Sequence, residues 1–265
     1  LETSEAEYVL SPRECAHSTL YMEKRAAQGQ PTVFSETFEY TSYGEWHNLK
    51  PEDVQPYDTT SALYRKYTVE RDKHIVFSPR LRELAARLTA GEDNPYLKAK
   101  RIFRWICEHF PWASAREYST IDNIPEYVLD NRHGDCGQVT LLFVTLCRLS
   151  GIPAHFQSGF MMHPRAWNLH DWAEVYFEGV GWVPVDQSFG IPSFACNADE
   201  EYFFLGGIDS WRMVVNSDYG MPLVPAKEYP RSETVDFQRG EVEWEGGNLY
   251  FTQWSYDMEI DYLNY

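Results

Sequence analysis

The residues from Gln138 to Leu149, "QVTLLFVTLCRL", would be apolar on nearly every side of a helix. Such a pattern is typical of a helix that is surrounded by protein rather than lying on the surface. The run is followed by the stretch 150–153, "SGIP", which carries the signals that end helices. The pattern therefore predicts one central, buried helix.

Two amphipathic helices are predicted upstream of this buried helix. The first has Ser78 as its N-cap and Pro79 as its first residue, and its apolar positions recur at helical spacing. The second starts near residues 94–95 and ends before Pro111. Its buried side is expected to carry Leu97, Ile102, Trp105 and Ile106.

Strand-like segments follow the buried helix, namely "AHFQSGFM", "HDWAEVYFE" and "GWVPVDQS". Helices followed by strands indicate an α+β fold. Short alternating runs before residue 75, among them "PTVFSETFEYTSYGEW" and "SALYRKYTVERD", also suggest strands. Near the end of the chain, "VEWEGGNLYFTQW" predicts a hairpin around Gly246-Gly247-Asn248.

The order of these patterns predicts three segments. Residues 1–74 are expected to form a β-containing N-terminal segment, residues 75–205 the core, and residues 206–265 a C-terminal extension packed on that core. With 265 residues, 43% of them hydrophobic, the chain is large enough for a substantial core.

Composition narrows the class of partner. The chain has 23 Lys and Arg residues against 40 Asp and Glu residues, and the resulting formal charge of −17 would repel nucleic acid. No apolar stretch reaches the length of a membrane span. The five cysteines are odd in number and lack metal-ligand spacing, so at least one thiol is free. Neither a metal site nor a cofactor is expected.

Cys136 stands where a loop gives way to the buried helix, in "NRHGDCGQVTLLF". Asp135 is suited to cap the helix, and Gly134 and Gly137 keep bulk away from the sulfur. Unpaired N–H groups and the helix dipole at this end favour a thiolate. The pattern therefore predicts a reactive cysteine, and the alternative is a buried cysteine that acts as a small hydrophobic residue.

A thiolate nucleophile needs a base and a group that orients the base. In "LHDWAEVYF", strand alternation puts His170 on one face and Asp171 on the other. An adjacent antiparallel strand, "GWVPVDQS", would set Asp186 behind His170. The alternatives are a hydrogen-bonded structural histidine and an aspartate that forms a turn.

Together these motifs resemble the core of the transglutaminase-like superfamily over residues 75 to 190. The resemblance rests on the glycine turn before Cys136 with its helix ending in Gly-Ile-Pro-Ala, on His-x-Trp-x-Glu at 170–174, and on Gly-Trp-x-x-x-Asp at 181–186. It implies a papain-like α+β fold in which the cysteine helix packs against an antiparallel sheet. Thr140 is a departure, since many relatives have alanine there.

The resemblance also implies roles for these residues. Cys136 would be the nucleophile, His170 the base and later the acid, and Asp186 the group that fixes the imidazole tautomer. The backbone N–H of Cys136 would be the first donor of an oxyanion hole, because it lies at the helix start. For the second donor we prefer Trp112 over Trp105, which lies on the apolar face of its helix; the alternative is that both tryptophans belong to the core.

The function implied by the resemblance is cysteine-dependent acyl transfer. The substrate would be an amide bond of a peptide or protein, glycosylated ones included, and a thioester would be the intermediate. Hydrolysis by a peptidase or amidase is favoured over cross-linking. The alternative is a catalytically silent transglutaminase-like module that serves in binding or as a scaffold. Members of this family often act outside the cytoplasm, which favours an exported protein, although the free thiols do not support that location.

Overall fold

The computed structural model describes residues 1–114, 116–191 and 195–263, and it combines helices with antiparallel strands. In this part of the chain the helices are α1 (Ala62–Tyr67), α2 (Pro79–Leu88), α3 (Pro95–His109), α4 (Ile124–Asn131), α5 (Cys136–Leu149) and α6 (Ala198–Glu201), with 3₁₀ turns at Pro51–Asp53 and Tyr118–Thr120. The strands are β1 (Glu2–Thr3), β2 (Tyr8–Leu10), β3 (Leu20–Met22), β4 (Glu36–Thr37), β5 (Glu45–Trp46), β6 (Ala154–Met161), β7 (Asn168–Phe177), β8 (Gly181–Val185), β9 (Gly207–Ile208), β10 (Arg212–Ser217), β11 (Val242–Trp244) and β12 (Gly247–Leu249).

Helices α2 and α3 confirm the two predicted amphipathic helices. The side chain of Ser78 accepts a hydrogen bond from the backbone N–H of Leu81, and Asn94 accepts one from Leu97 in the same way. Each cap satisfies an N–H group that has no partner within its helix, which fixes where the helix begins.

Two other helices differ from the sequence expectation. The strands suggested in "SALYRKYTVERD" are wrong, because Ser61 accepts a hydrogen bond from the N–H of Tyr64 and caps the short helix α1. Helix α4 lies in a stretch for which no helix is predicted. Its N-cap is Asn123, whose side chain accepts from the N–H of Glu126.

Helix α5 is the centre of the core, as its apolar pattern predicts. Residues 137–148 are all buried. The helix packs against α2, α3 and α4 on one side and against strands β6 and β7 on the other. A helix enclosed in this way has no face for charged residues, which explains why its sequence lacks an amphipathic pattern.

The central sheet has the strand order β10-β6-β7-β8, and every pairing in it is antiparallel. Strands β6, β7 and β8 coincide with the three predicted strand segments, and β11 pairs with β12 as the predicted hairpin. On β7, Ala173, Val175 and Phe177 belong to the hydrophobic core. This alternation turns every second residue of β7 toward α5.

The structure confirms the α+β prediction, with Cys136 at the start of a buried helix packed on an antiparallel sheet. Strand β10 comes from beyond residue 206 and forms one edge of the central sheet. The division into three segments remains a prediction. No helix in the described ranges combines the length and the apolar character needed to cross a bilayer.

Close packing between β6 and β10 gives a test of the sheet. A Cβ added at Gly159 would lie 1.8 Å from the backbone carbonyl oxygen of Met213 on the paired strand. Because β6 is paired on both sides, with β10 and β7, room for the methyl group requires a shift that weakens a strand pairing. We therefore expect Gly159→Ala to lower the free energy of unfolding by about 1–3 kcal/mol, measured by urea denaturation. Gly44→Ala is the control, since its added Cβ would meet neighbours at an ordinary 3.5 Å. Equal urea midpoints for the two variants would contradict this account of the sheet.

Candidate active site

Cys136 is the first residue of α5, and a capping box closes the helix end. The Asp135 side chain accepts a hydrogen bond from the N–H of Gln138, 3.0 Å away, and the Gln138 side chain accepts one from the N–H of Asp135. This reciprocal arrangement satisfies two of the donors that a helix leaves unpaired. It fixes the direction in which the half-buried Cys136 side chain leaves the helix.

The structure brings His170 and Asp186 together. Asp186 follows β8 directly, and its Oδ2 lies 2.8 Å from Nε2 of His170 on the neighbouring strand. Arg212 of β10 donates to the same oxygen at 2.8 Å and also pairs with Asp209. The Arg212 guanidinium rests on the rings of Trp172 and Phe189.

The surroundings of Asp186 keep it ionised. The carboxyl is fully buried, and burial by itself would raise its pKa. The charges of His170 and Arg212 and their hydrogen bonds outweigh burial, so the pKa of Asp186 is lowered. An ionised Asp186 accepts from Nε2–H of His170, which leaves Nδ1 as the ring nitrogen that can take a proton.

The thiol of Cys136 makes its hydrogen bond with Asp171 rather than with His170. Its Sγ lies 3.2 Å from Oδ2 of Asp171. Asp171 shares the face of β7 that packs on α5, whereas its neighbour His170 belongs to the opposite face. The alternation that separates the two side chains thus places a second carboxyl group directly beside the sulfur.

Two further side chains hold the Asp171 carboxyl in this position. The amide Nε2 of Gln238 donates to Oδ1 of Asp171 at 2.7 Å and to the carbonyl oxygen of His170 at 2.6 Å. The hydroxyl of Tyr118 lies 3.3 Å from Oδ2 of Asp171 and 2.7 Å from Oδ1 of Asp135. The sulfur therefore faces an organised polar cluster.

This cluster changes the expected state of the thiol. Burial raises the pKa of Cys136 well above its ordinary value, and the carboxylates of Asp171 and Asp135 raise it further. The prediction that the helix end favours a thiolate is therefore wrong for the arrangement seen here. The dipole and the N–H groups are present, but burial and negative charge outweigh them.

Carboxyl groups from the C-terminal part of the chain extend this cluster. Burial raises the pKa of Glu233 to about 8 and that of Asp236 to about 6, and the charge of Asp236 contributes to the shift at Glu233. Arg239 lies 3.6 Å from Glu233 and offsets part of this charge. The polar cluster therefore includes two buried acids, Glu233 and Asp236, whose pKa values are higher than usual.

A cleft of about 330 Å³ adjoins the site. Trp112 lies at its rim and is 65% exposed, so this tryptophan is not a core residue. A parallel bridge joins the backbone of Trp112 to Gly134, two residues before the cysteine. Trp105 is half-buried and packs against the core, where its ring contacts those of His109 and Phe110. The role of Trp112 as an oxyanion donor stays a prediction.

The hydroxyl of Thr140 has a partner that accounts for its presence in the buried helix. Nε2 of Gln187 donates to Thr140 Oγ1 at 2.6 Å. Gln187 follows Asp186 directly, so this bond ties α5 to the end of β8. An alanine at position 140 would remove that tie without removing a group that faces the sulfur.

Several site residues escape sequence reasoning. The position of Asp171 is predictable, because the strand alternation that puts His170 on one face of β7 puts Asp171 on the face toward the helix. Arg212 and Gln238 carry no local signal, since each acts through a contact made across more than 25 positions of sequence. In the part of the chain that the structure describes, no group of three or more His, Cys, Asp or Glu side chains could hold a metal ion.

The chain thus combines a cysteine at the start of a buried helix with a buried histidine–aspartate pair on the antiparallel sheet of an α+β fold. Comparison with protein families gives the particular group that the chain is similar to: residues 82–187 match the family model of the transglutaminase-like superfamily.

Individual relatives are distant. The uncharacterized protein YebA of Bacillus subtilis is 27% identical over 134 residues, which cover 42% of this chain and 18% of YebA. A protein-glutamine gamma-glutamyltransferase of Pseudomonas aeruginosa is 25% identical over 125 residues, covering 43% of this chain and 19% of that protein. The solved structure of a cysteine protease candidate from Cytophaga hutchinsonii aligns with a TM-score of 0.46 and 19% identity over 62% of this chain and 50% of that chain. The chain thus spans less than a fifth of the length of the first two relatives.

Gly137 gives a test of the contact between α5 and the polar cluster. A Cβ at this position would lie 2.4 Å from the hydroxyl oxygen of Tyr118 and 2.7 Å from Oδ2 of Asp171. Alanine normally stabilises a helix relative to glycine by about 1 kcal/mol. We expect the opposite sign here: Gly137→Ala lowers the free energy of unfolding by about 1–3 kcal/mol in urea denaturation. A stabilised Gly137→Ala protein would show that the first turn of α5 does not meet the cluster as described.

Glu233 gives a test of the buried acids by pH. Its pKa in the folded protein, about 8, is above the ordinary value of 4.5, so the folded state binds this proton more tightly than the unfolded chain. Protonated Glu233 therefore contributes to the free energy of unfolding. This contribution is fully present below the ordinary pKa and is lost as the pH rises toward 8. We expect the free energy of unfolding to fall by at least about 1 kcal/mol over this range in urea titrations. Glu233→Gln should flatten the profile, whereas Glu14→Gln, at an exposed position, should not.

Proposed function

We propose that the protein is a cysteine-dependent acyl-transfer enzyme that acts on amide bonds of peptides or proteins. The observation that carries the proposal is the buried pair of His170 and Asp186, in which His170 directly precedes the residue of β7, Asp171, that contacts the sulfur of Cys136. The match of residues 82–187 to the transglutaminase-like superfamily supports the same class of chemistry.

In the first step, Nδ1 of His170 takes the proton of the Cys136 thiol. Asp186 holds the opposite nitrogen, Nε2, and stabilises the imidazolium that forms. The thiolate then attacks the carbonyl carbon of the amide. The backbone N–H of Cys136 and the indole N–H of Trp112 are the donors proposed for the resulting oxyanion.

In the second step, the carbon–nitrogen bond breaks and the imidazolium of His170 gives its proton to the departing amine. The acyl group remains on Sγ of Cys136 as a thioester. Water then attacks the thioester carbon and gives a proton to His170, the carbon–sulfur bond breaks, and the proton on His170 passes to the sulfur. The carboxylic acid leaves and the free thiol is regenerated.

We favour hydrolysis over transfer to a second amine. The rim of the cleft that adjoins the site is open to solvent, since Trp112 is 65% and Phe189 is 43% exposed, so water is available close to the acyl group. Transfer to an amine, the activity named for the Pseudomonas aeruginosa relative, is the competing outcome.

Intact-mass spectrometry of acid-quenched reactions tests the chemistry. A peptide and protein pool is incubated with the protein, and we expect an acyl adduct on Cys136 that hydroxylamine removes. Cys136→Ala should abolish the adduct and the products, and His170→Ala should slow product formation by about 10²–10⁴-fold. Cys15→Ala, in the N-terminal segment, is the matched control and should leave both unchanged.

Adding a primary amine to the same reactions separates the two outcomes. Hydrolysis gives free carboxylic acids whose yield the amine barely changes, whereas transfer gives products that contain the amine. Products that survive Cys136→Ala would rule out the proposed nucleophile. A protein without adduct or product on any pool would favour the silent binding module.

A further inference from the structure

We propose that Asp171 is a catalytic residue which, in its protonated form, donates a hydrogen bond to the Cys136 thiolate. The inference rests on the proposed function, because it assigns a second partner to the same nucleophile. Asp171 touches the reacting atom itself, with Oδ2 3.2 Å from Sγ, and nothing in the Cys–His–Asp arrangement requires this contact.

The cluster has too few protons to separate an ionised Asp171 from the thiolate. Tyr118 has a single hydroxyl proton, and its shorter contact is the 2.7 Å one to Asp135 rather than the 3.3 Å one to Asp171. If that proton goes to Asp135, Oδ2 of Asp171 faces the phenol oxygen and the sulfur. Once the thiol has given its proton to His170, an ionised Asp171 would face a thiolate with no proton between them.

A proton on Oδ2 of Asp171 removes this conflict. The carboxylic acid then donates to Sγ, and the same contact that opposes a thiolate becomes one that stabilises it. The opposite oxygen, Oδ1, still accepts from Gln238, whose orientation is fixed because it also donates to the carbonyl oxygen of His170. Both carboxyl oxygens therefore have a partner suited to the neutral acid.

The charges around Asp171 favour the proton. Burial raises its pKa well above the ordinary value, and the charges of Asp236, Asp135 and Glu233 add to this. The groups facing the cluster come from every element packed against it and comprise Asp135 and Cys136 of the α5 end, Tyr118 of the 3₁₀ turn, His170 of β7, and Glu233, Asp236 and Arg239 of the C-terminal segment. Arg239 lowers the pKa values of Asp236 and Glu233, which favours their ionised forms and so maintains the negative charge that faces Asp171.

A hydrogen bond from Asp171 to the sulfur makes the reactivity of Cys136 depend on pH. The balance at attack is one proton moved from Sγ to Nδ1 of His170, while the proton of Asp171 stays on Oδ2. When Asp171 ionises, its charge opposes the thiolate, so the reactivity of Cys136 should fall above the pKa of Asp171. A site that used only His170 would keep its reactive thiolate as the pH rises.

Alkylation of Cys136 by iodoacetamide, followed site by site with mass spectrometry, tests this between about pH 5 and about pH 10. Asp171→Asn replaces Oδ2 by an uncharged N–H donor of the same shape, whereas Asp171→Ala removes the donor. We expect Asp171→Asn to react within about threefold of the wild-type rate at neutral pH and to lack the fall at high pH. Asp171→Ala should react about tenfold or more slowly, the loss expected for a hydrogen bond to a charged group.

Asp93→Asn is the matched control, because it removes one negative charge at an exposed position outside the cluster. Its pH profile should equal that of the wild type. Equal losses in Asp171→Asn and Asp171→Ala, a wild-type rate in Asp171→Ala, or an unchanged high-pH fall in Asp171→Asn would each overturn the assignment. If Asp171→Ala does not fold, the pH profile of Asp171→Asn alone decides.

His170→Ala separates this inference from the proposed function. If Cys136 reacts no faster than the other cysteines and His170→Ala changes nothing, the proposed function itself fails. If the reactivity of Cys136 depends on His170 but the Asp171 variants behave in one of the overturning ways, the proposed function stands and only the role of Asp171 is lost.

Discussion

The close approach between the first turn of α5 and strand β7 is the constraint on which the rest of the site depends. Position 137 has no side chain, and the space that a Cβ would need is taken by Tyr118 and Asp171. Because interiors pack without spare volume, this contact sets the distance between helix and sheet at their polar end. The sulfur of Cys136 can then lie against the sheet rather than in open solvent.

Two aspartates near the sulfur have opposite electrostatic surroundings although both are buried. Asp186 has a cationic partner, Arg212, and accepts a hydrogen bond from the imidazole of His170, and it is held as an anion. Asp171 lies among other acids and has an amide and a phenol as its neutral partners. Burial acts in the same direction on both carboxyl groups, so the neighbouring charges and hydrogen bonds decide which of them is ionised. A site that uses one carboxylate and one carboxylic acid needs this difference in environment.

Much of this arrangement could be predicted from sequence because it is local. Ser78, Asn94 and Asp135 cap helices through hydrogen bonds that span three residues, and such bonds leave a recognisable pattern. The pairing of His170 with Asp186 follows from alternation on two strands joined by a tight turn. Helix α1 is mistaken for a strand because its six residues are too few to show a helical period.

The remaining features depend on contacts that no local pattern records. The ionised state of Asp186 requires Arg212, and the orientation of Asp171 requires Gln238, both from beyond the residues that match the family. The state of the thiol is equally non-local. The helix end alone argues for a thiolate, whereas burial and two carboxyl groups argue for a neutral thiol, and only the assembled structure shows which prevails.

The position of Arg212 on the edge strand β10 has a consequence for the order in which the protein acquires its site. A ribosome makes the chain from its N-terminus, so Cys136, His170 and Asp186 emerge before Arg212 and well before Gln238. Until β10 joins the sheet, Asp186 lacks its guanidinium partner, and until residue 238 is added, Asp171 lacks its amide partner. The nascent chain therefore holds the sulfur, the imidazole and both aspartates before it holds the side chains that bind those aspartates, and the site is completed late in synthesis.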